Sequence, residues 1–371
     1  MKLFKCRVLT LLFIWAIPLL SFASTSDNFL SDADSEIPPK NIIIFIGDGM
    51  GIAHISAGKI VKGQLNLEQF KHIGLLTTHS QDALVTDSAA AGTAIATGYK
   101  TINHFISVTK EGKPLKTIME YAQEANKATG IVVTSSITHA TPAAFMAHVD
   151  NRKKEALIAK QISESHMDVL FGGGRGYFIP GSKPTSLRND EQDLLLNFPL
   201  VISSEDEFNQ LGDINSVVGL FAINELPKVN LRRPGLVQMT QKAISILAKN
   251  KQGFVLMVEG SQIDWGSHAN EQDYLISEML DFDEAVGVGL NFAKTNSQTL
   301  IIVLSDHETG GFAIHNGSLA NKIVSESSFS RIEHTAEMVP IFSYGKGAKD
   351  FTGIIDNAKV GQILNGYLRQ K

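Results

Sequence analysis

The sequence of 371 residues has little cysteine, little tryptophan and no long hydrophobic run in its body. The single cysteine, Cys6, lies in a short basic segment before the apolar run 8–20. That run is shorter than the roughly 20 residues that span a bilayer, and the small residues at 21–23 are typical of a signal-peptidase site. We expect residues 1–23 to be a signal peptide, and its removal leaves no thiol for disulfides or metal ligation.

Basic side chains are fewer than acidic ones: the sequence has 33 Lys and Arg and 38 Asp and Glu, which gives a net charge of −5. Loss of residues 1–23 would remove three more basic side chains. Such a chain does not suggest nucleic acid as a partner, beyond its terminal phosphates. We expect export to the periplasm or the medium, with no membrane attachment of the mature form. Residues 24–40 are predicted to be a flexible leader, and 41–371 a single catalytic domain, although the length also allows two smaller ones.

Short apolar runs rich in β-branched residues alternate with segments of helical periodicity. This order predicts a three-layer α/β sandwich, in which helices flank both faces of a mostly parallel central sheet. Region 172–230 is rich in Gly, Pro, Asn and Ser and is interpreted as a loop-rich insertion with short helices. The predicted strands are 42–46, 73–77, 131–134, 169–171, 254–258, 300–304 and 339–342, and the clearest helices 116–128, 236–249 and 271–293.

Three stretches each place an acid beside a histidine at ligand spacing. Two of them follow predicted strands, and ligands bind beyond the carboxyl ends of strands in an open α/β sheet. The run 42–46 is followed by Gly-Asp-Gly-Met-Gly, whose glycines allow a tight turn that aims Asp48 at the same crevice. The pattern indicates a centre of several metal ions suited to hydrolysis at phosphorus. The three stretches hold Asp264 with His268, Asp306 with His307, and Glu333 with His334.

The small-residue segment 86–93 is predicted to begin a helix near Asp87 and Ser88. A serine at that position is more often a helix cap than a nucleophile. A metal centre favours the nucleophile, because a hydroxyl beside Zn²⁺ ionises near neutral pH. Segment 135–152 adds Thr141 as a hydroxyl ligand and Arg152 as a fork for phosphate oxygens, although Arg152 alone would be read as a surface arginine. His139 stays ambiguous, and the other unpaired histidines, including His54, are treated as structural.

Six dispersed motifs resemble those of the alkaline phosphatases, in the same order and over nearly the whole mature chain. Any one of them is weak, whereas their agreement in type and order is specific. They are Asp48 in Gly-Asp-Gly-Met-Gly, Asp87-Ser88-Ala89, Thr138 to Arg152, Glu259 to His268, Ser305-Asp306-His307, and Glu333-His334-Thr335.

The resemblance implies hydrolysis of phosphate monoesters through a phosphoserine at Ser88. Arg152 would hold two phosphate oxygens and Asp87 would position that arginine. Two Zn²⁺ and a third ion, Mg²⁺ in most of the family, would be bound. The implied ligands are Asp264, His268 and His334 for the first zinc, Asp48, Ser88, Asp306 and His307 for the second, and Asp48, Thr141 and Glu259 for the third ion.

Two positions depart from the best-known bacterial pattern, which has Asp at the place of His139 and Lys at the place of Trp265. A histidine suits Zn²⁺ better than an aspartate does, so the third ion is Mg²⁺ or Zn²⁺. Trp265 brings no charge to phosphate, so we expect faster product release. Glu333 receives no role. The family also implies a homodimer, and the short interval between His307 and His334 leaves little room for the insertion that forms a crown domain in larger members.

Two other readings remain open from the sequence. One is a phosphodiesterase or sulfatase of the same superfamily, but sulfatases modify a Cys or Ser in another motif, and diesterases of this type commonly use threonine. Ser88 with Arg152 therefore favours the monoesterase. The other reading is a non-catalytic periplasmic scaffold that binds phosphate, although degeneration would be expected to erode ligands that this chain retains.

Overall fold

The computed structural model describes residues 37–370, so the expected signal peptide and most of the leader lie outside the described residues. The chain from Pro38 onward forms one compact unit. The strands are β1 Asn41–Gly47, β2 His72–Thr77, β3 Ala128–Ser136, β4 Val169–Gly173, β5 Val201–Ile202, β6 Val217–Leu220, β7 Phe254–Gly260, β8 Thr299–Leu304, β9 Glu308–Thr309, β10 Phe312–Ser318, β11 Ile323–Phe329, β12 His334–Thr335, β13 Val339–Gly345 and β14 Gly353–Asp356. The helices are α1 Ile52–Lys62, α2 Ser88–Thr97, α3 Ile118–Glu124, α4 Ala140–Met146, α5 Glu155–Ser163, α6 Glu205–Asn209, α7 Leu236–Leu247, α8 Gln262–His268, α9 Gln272–Thr295 and α10 Asn357–Arg369.

Ten strands form the central sheet in the order β14-β2-β13-β8-β1-β7-β3-β4-β6-β5. Strand β13 runs antiparallel to both of its neighbours, and the other neighbouring pairs are parallel. The mostly parallel sheet is thus confirmed. Parallel strands buried on both faces read as continuous apolar runs, which explains why β1, β7 and β8 were visible in the sequence.

Helices cover both faces of this sheet, as alternate side chains of β1 show. Ile42 and Ile44 pack into a core shared with residues of α2, α3, α4, α5 and α10. Ile43 and Phe45 pack into a second core shared with α7 and α9. The expected three-layer sandwich is therefore confirmed. Within residues 37–370, none of the helices combines the length and apolar character that a membrane crossing requires.

Two local predictions differ from the structure, and one hairpin was not predicted. Region 172–230 contains strands β5 and β6, which extend the sheet, because its brief apolar run Val217–Leu220 pairs in parallel with β4. The helix predicted at 116–128 ends at Glu124, and Asn126 then adopts a positive φ of 56° that turns the chain into β3. The hairpin of β10 and β11 was not predicted, since its alternation of polar and apolar residues is irregular.

The centre of the sheet determines where the functional side chains meet. Strand β1 lies between β7 and β8, and all three end at the same edge, with Gly47 opposite Gly260 and Ile46 opposite Leu304. The residues that follow these strands are therefore neighbours, although they come from three distant parts of the sequence.

Candidate metal centre

Asp48 is the first residue beyond β1 and its side chain is fully buried. Among the described residues neither of its carboxylate oxygens finds a hydrogen-bond partner. Gly49 takes a φ of 71°, and a Cβ there would lie 2.7 Å from Thr309 Oγ1, so this turn requires glycine. Burial raises the pKa of Asp48 well above its usual range, and the carboxylate of Asp306 adds to the effect. A bound cation would offset both the cost of burying this carboxylate and its repulsion by Asp306.

Asp306 and His307 follow β8 and are also fully buried. Asp306 Oδ1 accepts hydrogen bonds from the peptide N–H groups of Gly49 at 3.2 Å and His307 at 3.0 Å. The other oxygen, Oδ2, lies 3.2 Å from His307 Nε2, which is itself 3.5 Å from Asp48 Oδ1. Burial, and then the Asp264 carboxylate, raises the pKa of Asp306 to about 8. Asp48, Asp306 and His307 thus direct carboxylate and imidazole lone pairs into one small volume between them, as the ligands of a metal ion do.

Thr309 fixes which nitrogen of His307 faces that volume. Its hydroxyl donates to Asp264 Oδ1 at 2.5 Å, so its oxygen must accept the second contact, with His307 Nδ1 at 3.2 Å. His307 therefore carries its proton on Nδ1, and the Nε2 lone pair is free to bind a metal. A histidine ligand is commonly oriented by such a hydrogen bond from its other nitrogen. Thr309 also connects His307 to Asp264, which belongs to a second group of candidate ligands.

Asp264, His268 and His334 form the second group, brought together from α8 and β12. Asp264 Oδ1 lies 3.3 Å from His268 Nε2 and 3.7 Å from His334 Nε2. Each histidine donates from Nδ1 to a backbone carbonyl, His334 to Thr86 at 2.9 Å and His268 to Ile332. Both Nε2 atoms are thus directed towards Asp264. The hydrogen bond with Asp264 raises the pKa of His268 to about 9, so metal binding would displace a proton.

Ser88 is the first residue of α2, but it does not cap the helix. The cap is Asp87, whose Oδ1 accepts the peptide N–H of Ala90 at 3.0 Å. The hydroxyl of Ser88 instead lies 3.2 Å from His307 Nε2. The capping interpretation is therefore excluded, and the serine oxygen stands at the positive end of the helix, beside the ligand cluster.

A third group shares Asp48 with the first. Ligand atoms of Asp48, Glu259 and His139 all lie within 4.8 Å of one another. Within residues 37–370 three buried atoms here lack hydrogen-bond partners: Glu259 Oε1, Thr141 Oγ1 and His139 Nδ1. Burial raises the pKa of Glu259 to about 7, whereas burial and the Arg152 charge lower the pKa of His139 to about 3, so this imidazole is neutral.

Arg152 lies at the mouth of the centre. Its guanidinium nitrogens contact Asp87 Oδ2 at 3.2 Å and His139 Nε2 at 3.3 Å. Asp87 thus uses one oxygen to cap α2 and the other to hold the arginine. The Trp265 ring packs edge-on against His139, with centroids 6.0 Å apart. Glu333 is exposed, and its Oε2 accepts a hydrogen bond from Arg331 Nη2 at 3.2 Å.

The donor set fits divalent cations. Buried carboxylates without hydrogen bonds are costly unless a charge compensates them. Among the described residues, the buried carboxylate oxygens that lack a hydrogen-bond partner all lie in this centre: both Asp48 oxygens, Asp306 Oδ2 and Glu259 Oε1. Imidazole and carboxylate together suit Zn²⁺, and the mainly oxygen group around Glu259 suits Mg²⁺. The sequence reasoning missed Thr309, because only the tertiary contact of its hydroxyl distinguishes it from any other threonine.

Comparison with known proteins agrees with this geometry. The alkaline phosphatase family model matches residues 39–326. The chain belongs to the alkaline phosphatase family. It is 37% identical to alkaline phosphatase 3 of Bacillus subtilis over 396 residues, covering 100% of this chain and 81% of that protein. Against the Escherichia coli alkaline phosphatase it is 32% identical over 418 residues, covering 92% and 88%.

Solved alkaline phosphatases share the fold. The enzyme from the Antarctic bacterium TAB5 superposes with a TM-score of 0.82 at 40% identity, covering 90% of this chain and 99% of that one. A TAB5 variant with one histidine replaced by aspartate, described with Mg bound in its M3 site, gives 0.81 at 38% identity with the same coverage. The alkaline phosphatase of Thermus thermophilus gives 0.82 at 26% identity, covering 91% and 93%.

Proposed function

We propose that this alkaline phosphatase hydrolyses phosphate monoesters with Ser88 as its nucleophile. The observation that carries the proposal is the position of the Ser88 hydroxyl, 3.2 Å from His307 Nε2. That nitrogen has no proton to give, so the hydroxyl is oriented by an acceptor. Residues that could hold metal ions surround it, and a helix N-terminus beneath it favours an anion such as phosphate.

In this mechanism the Ser88 hydroxyl gives up its proton to solvent and its oxygen attacks phosphorus, while the bond from phosphorus to the departing alkoxide breaks and the alkoxide takes up a proton from solvent. Water then attacks the phosphoserine, the bond to Ser88 breaks, and the serine oxygen recovers a proton as inorganic phosphate leaves. Two in-line displacements retain configuration at phosphorus. Arg152 would pair with two non-bridging oxygens, as its planar fork allows, and Asp87 would keep that fork aimed at the site.

Three groups of side chains would hold the ions. We assign Asp264, His268 and His334 to one zinc, and Asp48, Asp306, His307 and the Ser88 oxygen to a second. Bound at these places, the two zinc ions would stabilise negative charge on the entering and departing oxygens. Asp48, Glu259 and Thr141 would hold the third ion, as Mg²⁺ through oxygen ligands or as Zn²⁺ if His139 contributes nitrogen.

Broad substrate tolerance fits the surroundings of Arg152. A cavity of about 350 Å³ opens there, lined by Asp87, His104, Ala140 and Lys153 among others. The cavity lies beside the guanidinium that would bind phosphate, and its lining contains no large apolar side chain that would select one alcohol. The basic segment and apolar run at the start of the sequence support export to the periplasm or beyond, and kinship with the family supports a homodimer.

The test compares p-nitrophenyl phosphate with bis-p-nitrophenyl phosphate at alkaline pH, with zinc and magnesium present and again after EDTA. We expect chelator-sensitive turnover of the monoester and little cleavage of the diester, because a second ester group would occupy an oxygen that Arg152 binds. Preference for the diester would replace the proposal by the phosphodiesterase. Bound metal without turnover of either ester would identify a phosphate-binding scaffold.

A further inference from the structure

His54 is fully buried in the first turn of α1, outside every proposed ligand set. Its Nδ1 lies 3.2 Å from the peptide nitrogen of Gly51, and its Nε2 lies 2.9 Å from Ser267 Oγ. The Ser267 hydroxyl donates in turn to the carbonyl of Ile263 at 2.9 Å. The ring also packs against Phe312, with centroids 5.5 Å apart. The imidazole is therefore held on both of its nitrogens.

These contacts determine the tautomer. The peptide N–H of Gly51 can only donate, so Nδ1 is an acceptor and the proton sits on Nε2. Ser267 uses its own proton on Ile263, so its oxygen accepts from Nε2. The chain of donors thus runs in one direction, from Gly51 through His54 and Ser267 to Ile263. Burial lowers the pKa of His54 to about 4, which keeps the ring neutral at neutral and alkaline pH.

The two ends of this chain belong to different metal-ligand groups. Gly51 closes the loop that carries Asp48, which we assign to the second zinc and the third ion. Ser267 lies in α8 beside His268, and Ile263 precedes Asp264, which we assign to the first zinc. In the described residues, the His54 to Ser267 contact is the side-chain hydrogen bond that joins α1 to α8.

We propose that His54 is a positioning residue that locks the Asp48 loop to helix α8 and so couples the geometry of the two zinc sites. It touches neither substrate nor metal and acts through Gly51 and Ser267. Residues that hydrogen-bond a metal ligand directly commonly change metal affinity by about 10–100-fold, and His54 acts one contact further out, so we expect an effect at the lower end of that range. The inference rests on the proposed metal centre.

The test measures zinc transfer from the fully loaded protein to a chromophoric chelator, in wild type, His54→Leu, Ser267→Ala and the double variant. We expect each single change to speed zinc loss by about tenfold. The double variant should lose zinc no faster than the faster single variant, because both changes break the same link. Thermal melts of the metal-free proteins report stability separately. The proposal would be overturned if the variants melted at lower temperatures but lost zinc at the wild-type rate. It would also be overturned if the effects of the two single changes on the rate of zinc loss added up in the double variant.

Two further variants sharpen the result. His54→Asn retains an acceptor for Gly51 but is too short to reach Ser267, so we expect it to lose zinc like His54→Leu. If His54→Asn retained zinc as well as wild type does, only the contact with Gly51 at the start of α1 would matter, and the proposed coupling of the two zinc sites would be contradicted. The matched control is His148→Leu, which removes a histidine whose ring contacts Ser107 and Glu120, neither of them a proposed ligand, and which should leave zinc loss unchanged. If wild type binds no zinc, the proposed function itself fails.

Discussion

The Oγ of Ser88 and the Nε2 of His307 lie 3.2 Å apart, although 219 positions separate the two residues in the sequence. Helix α2 supplies the serine, and the loop beyond β8 supplies the histidine. Because Thr309 accepts the Nδ1 proton of His307, the nitrogen that faces Ser88 is an acceptor whose lone pair is available to a metal ion. The proposed nucleophile is therefore positioned by the same residue that would hold the second zinc.

Asp306→Asn should change stability in opposite directions with and without metal. Burial and neighbouring carboxylates raise the pKa of Asp306 to about 8, so the metal-free fold loses stability as pH rises from the unfolded pKa towards 8. A neutral amide removes that penalty. In EDTA at pH 8 the variant should melt several degrees higher than wild type, whereas in zinc it should melt lower, because it loses a ligand.

Calorimetry with and without EDTA measures this reversal. Asp206→Asn, at an exposed position of α6, is the control and should change neither melting temperature. Destabilisation by Asp306→Asn under both conditions would show that the carboxylate is a structural hydrogen-bonding group.

Asp87→Asn should weaken phosphate binding while leaving the fold intact. Asparagine caps helices about as well as aspartate, but its amide nitrogen would replace the oxygen that accepts the peptide N–H of His104, so we expect a loss of stability of about 1 kcal/mol. The charge that holds Arg152 is lost, however, so the guanidinium is less well aimed at phosphate. We expect the inhibition constant of inorganic phosphate and KM to rise several-fold. An unchanged inhibition constant for phosphate would show that Asp87 does not position Arg152.

Trp265→Lys should tighten product binding. The tryptophan packs on His139 beside the third group of ligands and carries no charge, whereas a lysine there would add a cation near the phosphate. We expect stronger inhibition by phosphate and a lower kcat if product release limits turnover. Trp265→Phe is the control for loss of the indole alone. Equal inhibition in wild type and Trp265→Lys would contradict the proposed role.

Acid stability should depend on His54. The folded pKa is lowered to about 4 from the ordinary 6.5, so the unfolded chain takes up a proton first as pH falls. Stability present above pH 6.5 is lost progressively down to about pH 4, by ~3 kcal/mol for this group. Denaturant unfolding in EDTA across that range should show a shallower fall in His54→Leu than in wild type. Parallel curves would contradict the buried, neutral imidazole.

Much of the fold was predictable because the central strands are buried on both faces. The runs at 42–46, 254–258 and 300–304 are continuous and apolar, and they became the adjacent strands β1, β7 and β8. The short strands β5, at the edge of the sheet, and β6 beside it were missed, because two to four residues carry too little pattern. The early end of α3 depends on a positive φ at Asn126, which its sequence permits without requiring.

The candidate site was predictable as a set of residues but not as a geometry. Strand ends located Asp48 and Asp306, and the residue types suggested metals. That Ser88 is not the cap of α2 required the Asp87 contact, which a pair of adjacent capping residues leaves undecided. The contacts of Thr309 and His54 join residues remote in the sequence, and periodicity carries no information about such hydrogen bonds.

The most direct measurement is turnover of p-nitrophenyl phosphate by wild type and Ser88→Ala at matched zinc content. The account predicts EDTA-sensitive activity in wild type that zinc restores, and a fall of at least about a thousandfold in kcat for the variant, since the attacking oxygen is gone. Ser56→Ala, at a hydroxyl on α1 bonded only within its helix, should keep full activity. Retention of a tenth or more of wild-type kcat by zinc-loaded Ser88→Ala would contradict the assignment of the nucleophile.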